Sequence, residues 1–187
     1  MEEAQVWELL ARAGALVPAH YEADGRHRLR RFERFDPLAD PVAAEQLGTA
    51  LAERLSESAH DLVAIWDGVE NIVLGYVVGR SLKRPVVRIF DDEGLVTASA
   101  PIPPGARAVF VAVVPDAQEL RLVRALLAAR DATLATVAVL IDLGQASERP
   151  IALARLESYA PEHCPACQRG EPLSLSRVSL APGGQHG

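Results

Sequence analysis

The sequence predicts an α/β fold, a mostly parallel twisted sheet flanked by helices, with a small N-terminal hood. Three observations carry this. Four short runs, at residues 62–66, 86–90, 109–114 and 134–141, are almost continuously apolar, as strands buried on both faces are, rather than alternating as half-exposed strands would be. Helical patterns lie between them: Val69, Ile72, Val73, Tyr76 and Val77 form one expected stripe, and Leu120, Val123 and Leu127, widened by Leu122 and Leu126, form another. Strand–helix–strand at this rhythm is the βαβ signature of a parallel sheet.

Taken in order, the first fifteen or so residues read as a short helix around Val6, Leu9 and Leu10. Residues 20–35 read as a strand or hairpin turning at Asp24-Gly25. Asp40-Pro41 is a helix start, an N-cap side chain followed by proline at the first helical position. Ala43, Leu47, Ala50, Leu51 and Leu55 supply the buried face of that helix as far as about Ser58. A second small hairpin is expected over 91–100, ahead of the Pro101-Ile102-Pro103-Pro104-Gly105 loop. The whole divides into one α/β domain, 1–158, whose residues 1–36 make the helix and hood, and a turn-rich tail, 159–187, with a frayed end over 182–187.

Composition narrows the function classes. With 187 residues, 49% hydrophobic and 24% charged, the chain can bury one full core, and disorder is excluded for most of it. The net charge of −6 argues against a general binder of nucleic acid or anionic membrane, which needs a basic footprint. No apolar run approaches the ~18 residues that span a bilayer. The acidic start, Met1-Glu2-Glu3, is unlike a basic secretory leader. Two cysteines are too few for a disulfide framework. The expected compartment is the cytoplasm.

Ligands of open parallel sheets bind beyond the carboxyl ends of the strands. Each of the four runs ends in an acid there: Asp67, Asp91, Asp116 and Asp142. Asp67-Gly68-Val69-Glu70 and Asp116-Ala117-Gln118-Glu119 share the D-x-x-E form, whose favoured reading is helix capping, the aspartate capping free N–H groups and the glutamate reaching back. Such a helix start would otherwise be an anion site. A phosphate charge about 4 Å from one of these carboxylates meets roughly 4 kcal/mol of repulsion at an effective dielectric of about 20. A divalent cation bound at the acidic rim would reverse that sign.

In the order and spacing of its segments, the chain resembles the type I phosphoribosyltransferases, specifically the orotate phosphoribosyltransferase branch. The resemblance covers residues 14–173. It is carried by Gly14-Ala15-Leu16, the Gly25-Arg26-His27 turn (similar to the family's Ser-Gly-x-His), Asp40-Pro41 and its helix, residues 107–114, and Leu140-Ile141-Asp142. It closes on Tyr159-Ala160-Pro161-Glu162-His163-Cys164-Pro165-Ala166-Cys167, similar to the tail of some bacterial members. The resemblance implies the family's fold, a homodimer, phosphoribosyl pyrophosphate and Mg2+ as ligands, and transfer of phosphoribose to a nucleobase such as orotate.

The departures from the family pattern lie at the implied site. The family's two adjacent acids, which hold the ribose hydroxyls, fall on Ala112 and Val113. Its Thr-Thr-Gly-Gly loop, which cradles the 5′-phosphate, falls on Asp116, Ala117, Gln118 and Glu119. Its pyrophosphate loop falls on Asp67, Gly68, Val69, Glu70 and Asn71. The mobile catalytic loop is reduced to Asp91-Asp92-Glu93-Gly94, and the family's Asp-Arg pair reads Asp142-Leu143. A reaction that passes through an oxocarbenium-like state with pyrophosphate leaving needs metal-bridged oxygens and fixed cationic donors. The expectation is therefore a scaffold that has lost phosphoribosyl pyrophosphate binding and transferase activity, acting as a non-catalytic homodimer, regulator or partner protein. Two alternatives stay open: an active transferase, and a cation-dependent site built from the acidic rim.

Two further features stand apart. Arg26, Arg28, Arg30, Arg31 and Arg34 fall within nine residues. A solvated edge strand protected by charge is the favoured reading, and nucleic-acid contact is the alternative. Cys164-x-x-Cys167 is half of a zinc site. Its other two ligands could come from His163, His186 or the same motif on a second copy, and two plain reduced thiols are the competing reading. His20, His60 and His27 carry no signal of their own.

Overall fold

The computed structural model describes residues 1–23, 25–32, 38–114, 116–144 and 149–174. Arg34, His186 and the expected frayed end at 182–187 lie outside the described residues.

Helix α1 (Glu3–Arg12) leads into strands β1 (Leu16–Ala23) and β2 (Arg26–Phe32), which pair antiparallel as the hood. Helix α2 (Pro41–Leu55) begins where the sequence places it: the Asp40 carboxylate accepts from the Val42 N–H at 2.9 Å, and Pro41 opens the first turn. The sheet follows with β3 (Leu62–Trp66), α3 (Val69–Leu82), β4 (Val86–Asp92), β5 (Leu95–Ala98), β6 (Arg107–Ala112), α4 (Ala117–Ala128), β7 (Thr133–Asp142) and β8 (Ile151–Arg155). A single 3-10 turn, Pro161–His163, and the four-residue helix α5 (Pro165–Gln168) belong to the tail.

The strands lie in the order β5-β4-β3-β6-β7-β8, all parallel except the antiparallel edge strand β5. The parallel strands alone, numbered by sequence, run 2-1-3-4-5, a doubly wound order whose reversal lies between β3 and β6. Both faces are covered, which explains the continuous apolar runs. Val63, Ile65, Val109 and Val111 pack against Val6, Leu10, Leu47, Leu51, Leu74 and Val78 of α1–α3. Leu62, Ala64, Ala108 and Phe110 pack against Val123, Leu126 and Leu127 of α4.

The 91–100 hairpin forms with a tight turn at Glu93-Gly94, both at positive φ (52° and 87°), as two-residue hairpins require. Two readings need correction. Strand β8 has no counterpart in the sequence reading. Its Ile-Ala-Leu-Ala-Arg run is short and two of its five residues are alanine, too weak an apolar signal to stand out. The α3 stripe is also rotated: Val69 and Tyr76 are exposed, while Leu74, Val77 and Val78 are buried together with Gly75 and Gly79. The helix turns its glycines inward because it lies close to its neighbours. A Cβ on Gly75 would come within 2.7 Å of Ile65 Cγ2, and one on Gly48 of α2 within 2.5 Å of Val77 Cγ1.

This close packing gives a first prediction. Gly48→Val should lower the unfolding free energy by about 1–3 kcal/mol, the usual cost of overpacking. Thr49→Ala on the exposed side should stay within about 0.5 kcal/mol of the parent. Urea denaturation of the two variants checks it.

A second concerns His60, which precedes β3 and is buried with no partner for its Nδ1. Burial, then Arg84 and Arg107, lower its pKa against the opposing pull of Asp61. The folded protein thus resists a proton that the unfolded chain accepts, so stability should fall as pH drops below about 6.5. In His60→Phe that part of the pH dependence should disappear from denaturation midpoints measured between pH 7.5 and 5.5.

Candidate functional site

The strand reversal between β3 and β6 is the place where a doubly wound sheet opens a crevice. Its near side is the end of β3, Trp66 and Asp67, turning through Gly68 into α3. Its far side is Ala112, Val113 and Val114, with Asp116 starting α4. One side chain spans the two. Asn71, in the first turn of α3, donates from Nδ2 to the Trp66 carbonyl (3.3 Å) and accepts at Oδ1 from the Val113 N–H (3.0 Å). The backbone donor beyond β6 is therefore already used. Ala112 is fully buried and Val113 nearly so, at 0% and 7% exposure.

The rim acids are individually committed. Asp116 caps α4, accepting from the N–H groups of Gln118 (2.8 Å) and Glu119 (2.9 Å), as its motif predicts. The matching box at Asp67 and Glu70 does not form: Gly68 is the N-cap of α3 and makes no side-chain bond there. Asp67 instead meets Arg88 of the neighbouring strand β4 at 3.0 Å. That pairing follows from the parallel register, which sets Arg88 beside Ile65 and Ile89 beside Trp66. Asp91 accepts from Gly94 N–H inside the β4–β5 turn at 2.6 Å. Asp142 is buried, accepts from Gly144 N–H at 2.8 Å, and lies 3.4 Å from Arg155 of β8. Trp66, at the end of β3, is partly buried against the α4-side core. A hollow of about 550 Å3 lies between α1 and α2, lined by Glu8, Arg12, Glu45 and Glu53 among others, away from the strand ends.

A different set of side chains does converge. Among the described residues, the one group of three or more His, Cys, Asp or Glu ligand atoms is His20, His27, Cys164 and Cys167, all within 4.8 Å of one another. The two histidines come from opposite strands of the hood. Pro18 pairs with Arg30 and Tyr21 with Arg28, so two β1 residues, one of them His20, oppose one β2 residue in a bulge. Bulges of this kind re-aim side chains. Cys164 is the N-cap of α5 and Cys167 lies within it. The tail that carries them is tied to β2 by reciprocal 2.8 Å bonds between the backbones of His27 and Tyr159, and by the Arg26 guanidinium on Ser158. Burial and the adjacent Cys164 thiol hold the Cys167 thiol above its ordinary pKa.

Cys164 and Cys167 of the CxxC motif lie in this group, and the histidines beside them are not those the sequence offered. His163 is exposed, 3.8 Å from Glu162, and His186 lies outside the described residues. The available clue was geometric. His20 and His27 sit on either side of the turn at Gly25, so pairing of the hairpin brings them together; Asp24 lies outside the described residues.

The arginine-rich strand is not one continuous patch. Arg28 is buried and donates to the Leu143 carbonyl at 2.9 Å, and the Arg30 guanidinium lies 5.6 Å from the centre of the Trp7 ring. With Arg26 on Ser158, these residues fasten the hood to the rest of the molecule. Among the described residues no helix is long and apolar enough to cross a membrane.

No family model matches the chain. Similarity to individual proteins is nevertheless extensive. An orotate phosphoribosyltransferase of Pelotomaculum thermopropionicum is 28% identical over 183 residues, covering 92% of this chain and 95% of that protein. One from Carboxydothermus hydrogenoformans is 25% identical over 179 residues, covering 90% and 94%. Among solved structures, orotate phosphoribosyltransferase from Aeropyrum pernix superposes with a TM-score of 0.62 at 16% identity, over 80% of this chain and 92% of that one. Adenine phosphoribosyltransferase from Thermoanaerobacter pseudethanolicus gives 0.62 at 14% identity, over 80% and 99%. The structural likeness carries the fold. The chain is similar to orotate phosphoribosyltransferases over nearly its whole length and has the fold of the type I phosphoribosyltransferases.

Proposed function

We propose that this protein keeps the orotate phosphoribosyltransferase scaffold but neither binds phosphoribosyl pyrophosphate nor transfers phosphoribose, and that it works as a non-catalytic partner. The observation that carries this reading is the Asn71 bridge across the crevice between β3 and β6. Three features support it. The positions matching the family's ribose-holding acids are the buried, apolar Ala112 and Val113. The α4 N-terminus that would receive a 5′-phosphate has two of its N–H groups bonded to the protein's own Asp116. Arg88, on the strand next to the crevice, is paired with Asp67. Mg2+ binds through oxygen ligands, commonly one or two carboxylates with substrate phosphates. Ala112 and Val113 have no side-chain oxygen to offer, so these positions do not fit the ion.

The competing reading, an active phosphoribosyltransferase, draws on the shared name of relatives that align over more than nine-tenths of both chains at their best. Calorimetric titration of phosphoribosyl pyrophosphate with Mg2+ into the purified protein separates the two. We expect no saturable heat at concentrations that would reveal a dissociation constant of about 1 mM, or −4 kcal/mol. Saturable binding, followed by pyrophosphate release on adding orotate, would establish the active reading instead.

The bridge makes its own prediction. Asn71→Ala should leave the Val113 N–H and the Trp66 carbonyl without their partner and cost about 1–3 kcal/mol of stability. Asn71→Asp, which can still accept from Val113 but not donate to Trp66, should lose less. Urea midpoints of the two variants rank them.

A further inference from the structure

We propose that His20, His27, Cys164 and Cys167 hold one Zn2+ ion in a closed tetrahedral site that fastens the tail to the hood. Zinc takes sulfur at about 2.3 Å and imidazole nitrogen at about 2.0–2.1 Å, and its structural sites are four-coordinate and tetrahedral. A tetrahedron with those bond lengths has ligand–ligand edges of about 3.3 Å for N···N, 3.6 Å for N···S and 3.8 Å for S···S. Four of the six edges fall close to these, and all six lie within 4.8 Å. His20 Nε2 lies 3.3 Å from His27 Nδ1, 3.5 Å from Cys164 Sγ and 3.5 Å from Cys167 Sγ, and His27 Nδ1 lies 3.1 Å from Cys167 Sγ. Four donors at these separations surround a space of the size of one ion.

The surroundings suit a metal as well as the distances do. His20 Nδ1 lies 3.0 Å from the Glu171 carbonyl. A carbonyl can only accept, so Nδ1 carries the ring proton and the Nε2 lone pair faces the thiols. Such an outer hydrogen bond is the usual device that orients a zinc-bound imidazole. Cys164, His20 and His27 are buried, with 0%, 7% and 5% exposure. The donor set of two imidazoles and two thiolates selects zinc among the common divalent ions. Binding displaces both thiol protons to solvent. Two thiolates with two neutral imidazoles then balance the ion's charge, so the buried centre is neutral. All four positions are filled by side chains, which leaves none for substrate and makes the centre structural rather than catalytic.

The fold places the centre between segments far apart in the chain. His27 and Cys167 are 140 residues apart in sequence, and the Ser174 N–H also donates to the His20 carbonyl. A metal there closes the hood and the tail into one unit independently of whether the crevice binds phosphoribosyl pyrophosphate.

The test uses the untagged full chain, purified without chelator and dialysed, with zinc measured by mass spectrometry. We expect one zinc per chain, lost in Cys164→Ser and in His20→Asn. Stripping with a strong chelator should lower the melting temperature, and Zn2+ added back should restore it. Replacement by Co2+ should give the intense visible bands of a tetrahedral thiolate site, a readout on the parent chain that stands even if the variants fold poorly. Any of three results would overturn the proposal: a chain that binds neither Zn2+ nor Co2+ with its thiols reduced, a Cys164–Cys167 disulfide in freshly purified protein, or zinc retained at full stoichiometry in folded His20→Asn and Cys164→Ser.

Discussion

The strand reversal between β3 and β6 is the constraint on which the rest of this molecule turns. The helix following β3 packs on one face of the sheet and the helix following β6 on the other. The two strand ends therefore part company, and their last backbone groups lose the neighbours that a continuing ladder would provide. Buried N–H and C=O groups must be paired. In a ligand-binding relative of this architecture the crevice can be completed by the ligand. Here Asn71 supplies both an acceptor for Val113 and a donor for Trp66. A protein group that satisfies the crevice from within competes with any ligand that would do so from outside.

The acidic rim is understood on the same terms. A strand that ends in aspartate ahead of a helix can offer that carboxylate to the helix N–H groups or to a metal, and local geometry decides. Asp116 has two N–H groups within 3 Å, so capping takes it. Asp67 has an arginine one strand away at a matching height, and the ion pair takes it instead. Its pair is partly exposed, so it adds little stability. Its effect is to hold Arg88 toward the end of β3.

Much of this could be read from the sequence because the signals were local. The four inner strands are two-face-buried runs, and Asp40-Pro41 announces its helix by cap chemistry that acts over two residues. Strand β8 could not be read, since it is a strand by virtue of pairing with β7, not by its alanine-rich composition. The orientation of α3 was misread for a related reason. Glycine has no apolar side chain to count, yet Gly75 and Gly79 face the sheet side because only their small size permits the approach. Cys164 and Cys167 declared themselves by spacing, whereas His20 and His27 look like isolated residues until the hairpin and its bulge are built.

The hood shows how segments distant in the chain are fastened to one another. Its arginines are placed as fasteners: Arg28 crosses to the Leu143 carbonyl at the carboxyl end of β7, and Arg26 holds Ser158 at the start of the tail. The His27–Tyr159 bridge and the His–Cys cluster then bind the same hood to the same tail from the other side. A segment held at both the sheet and the tail is anchored at two separate places, and both sets of bonds must break before it can move. The Asn71 bridge and the fastened hood are thus built alike, each satisfying backbone groups at the end of one element with a side chain from another segment.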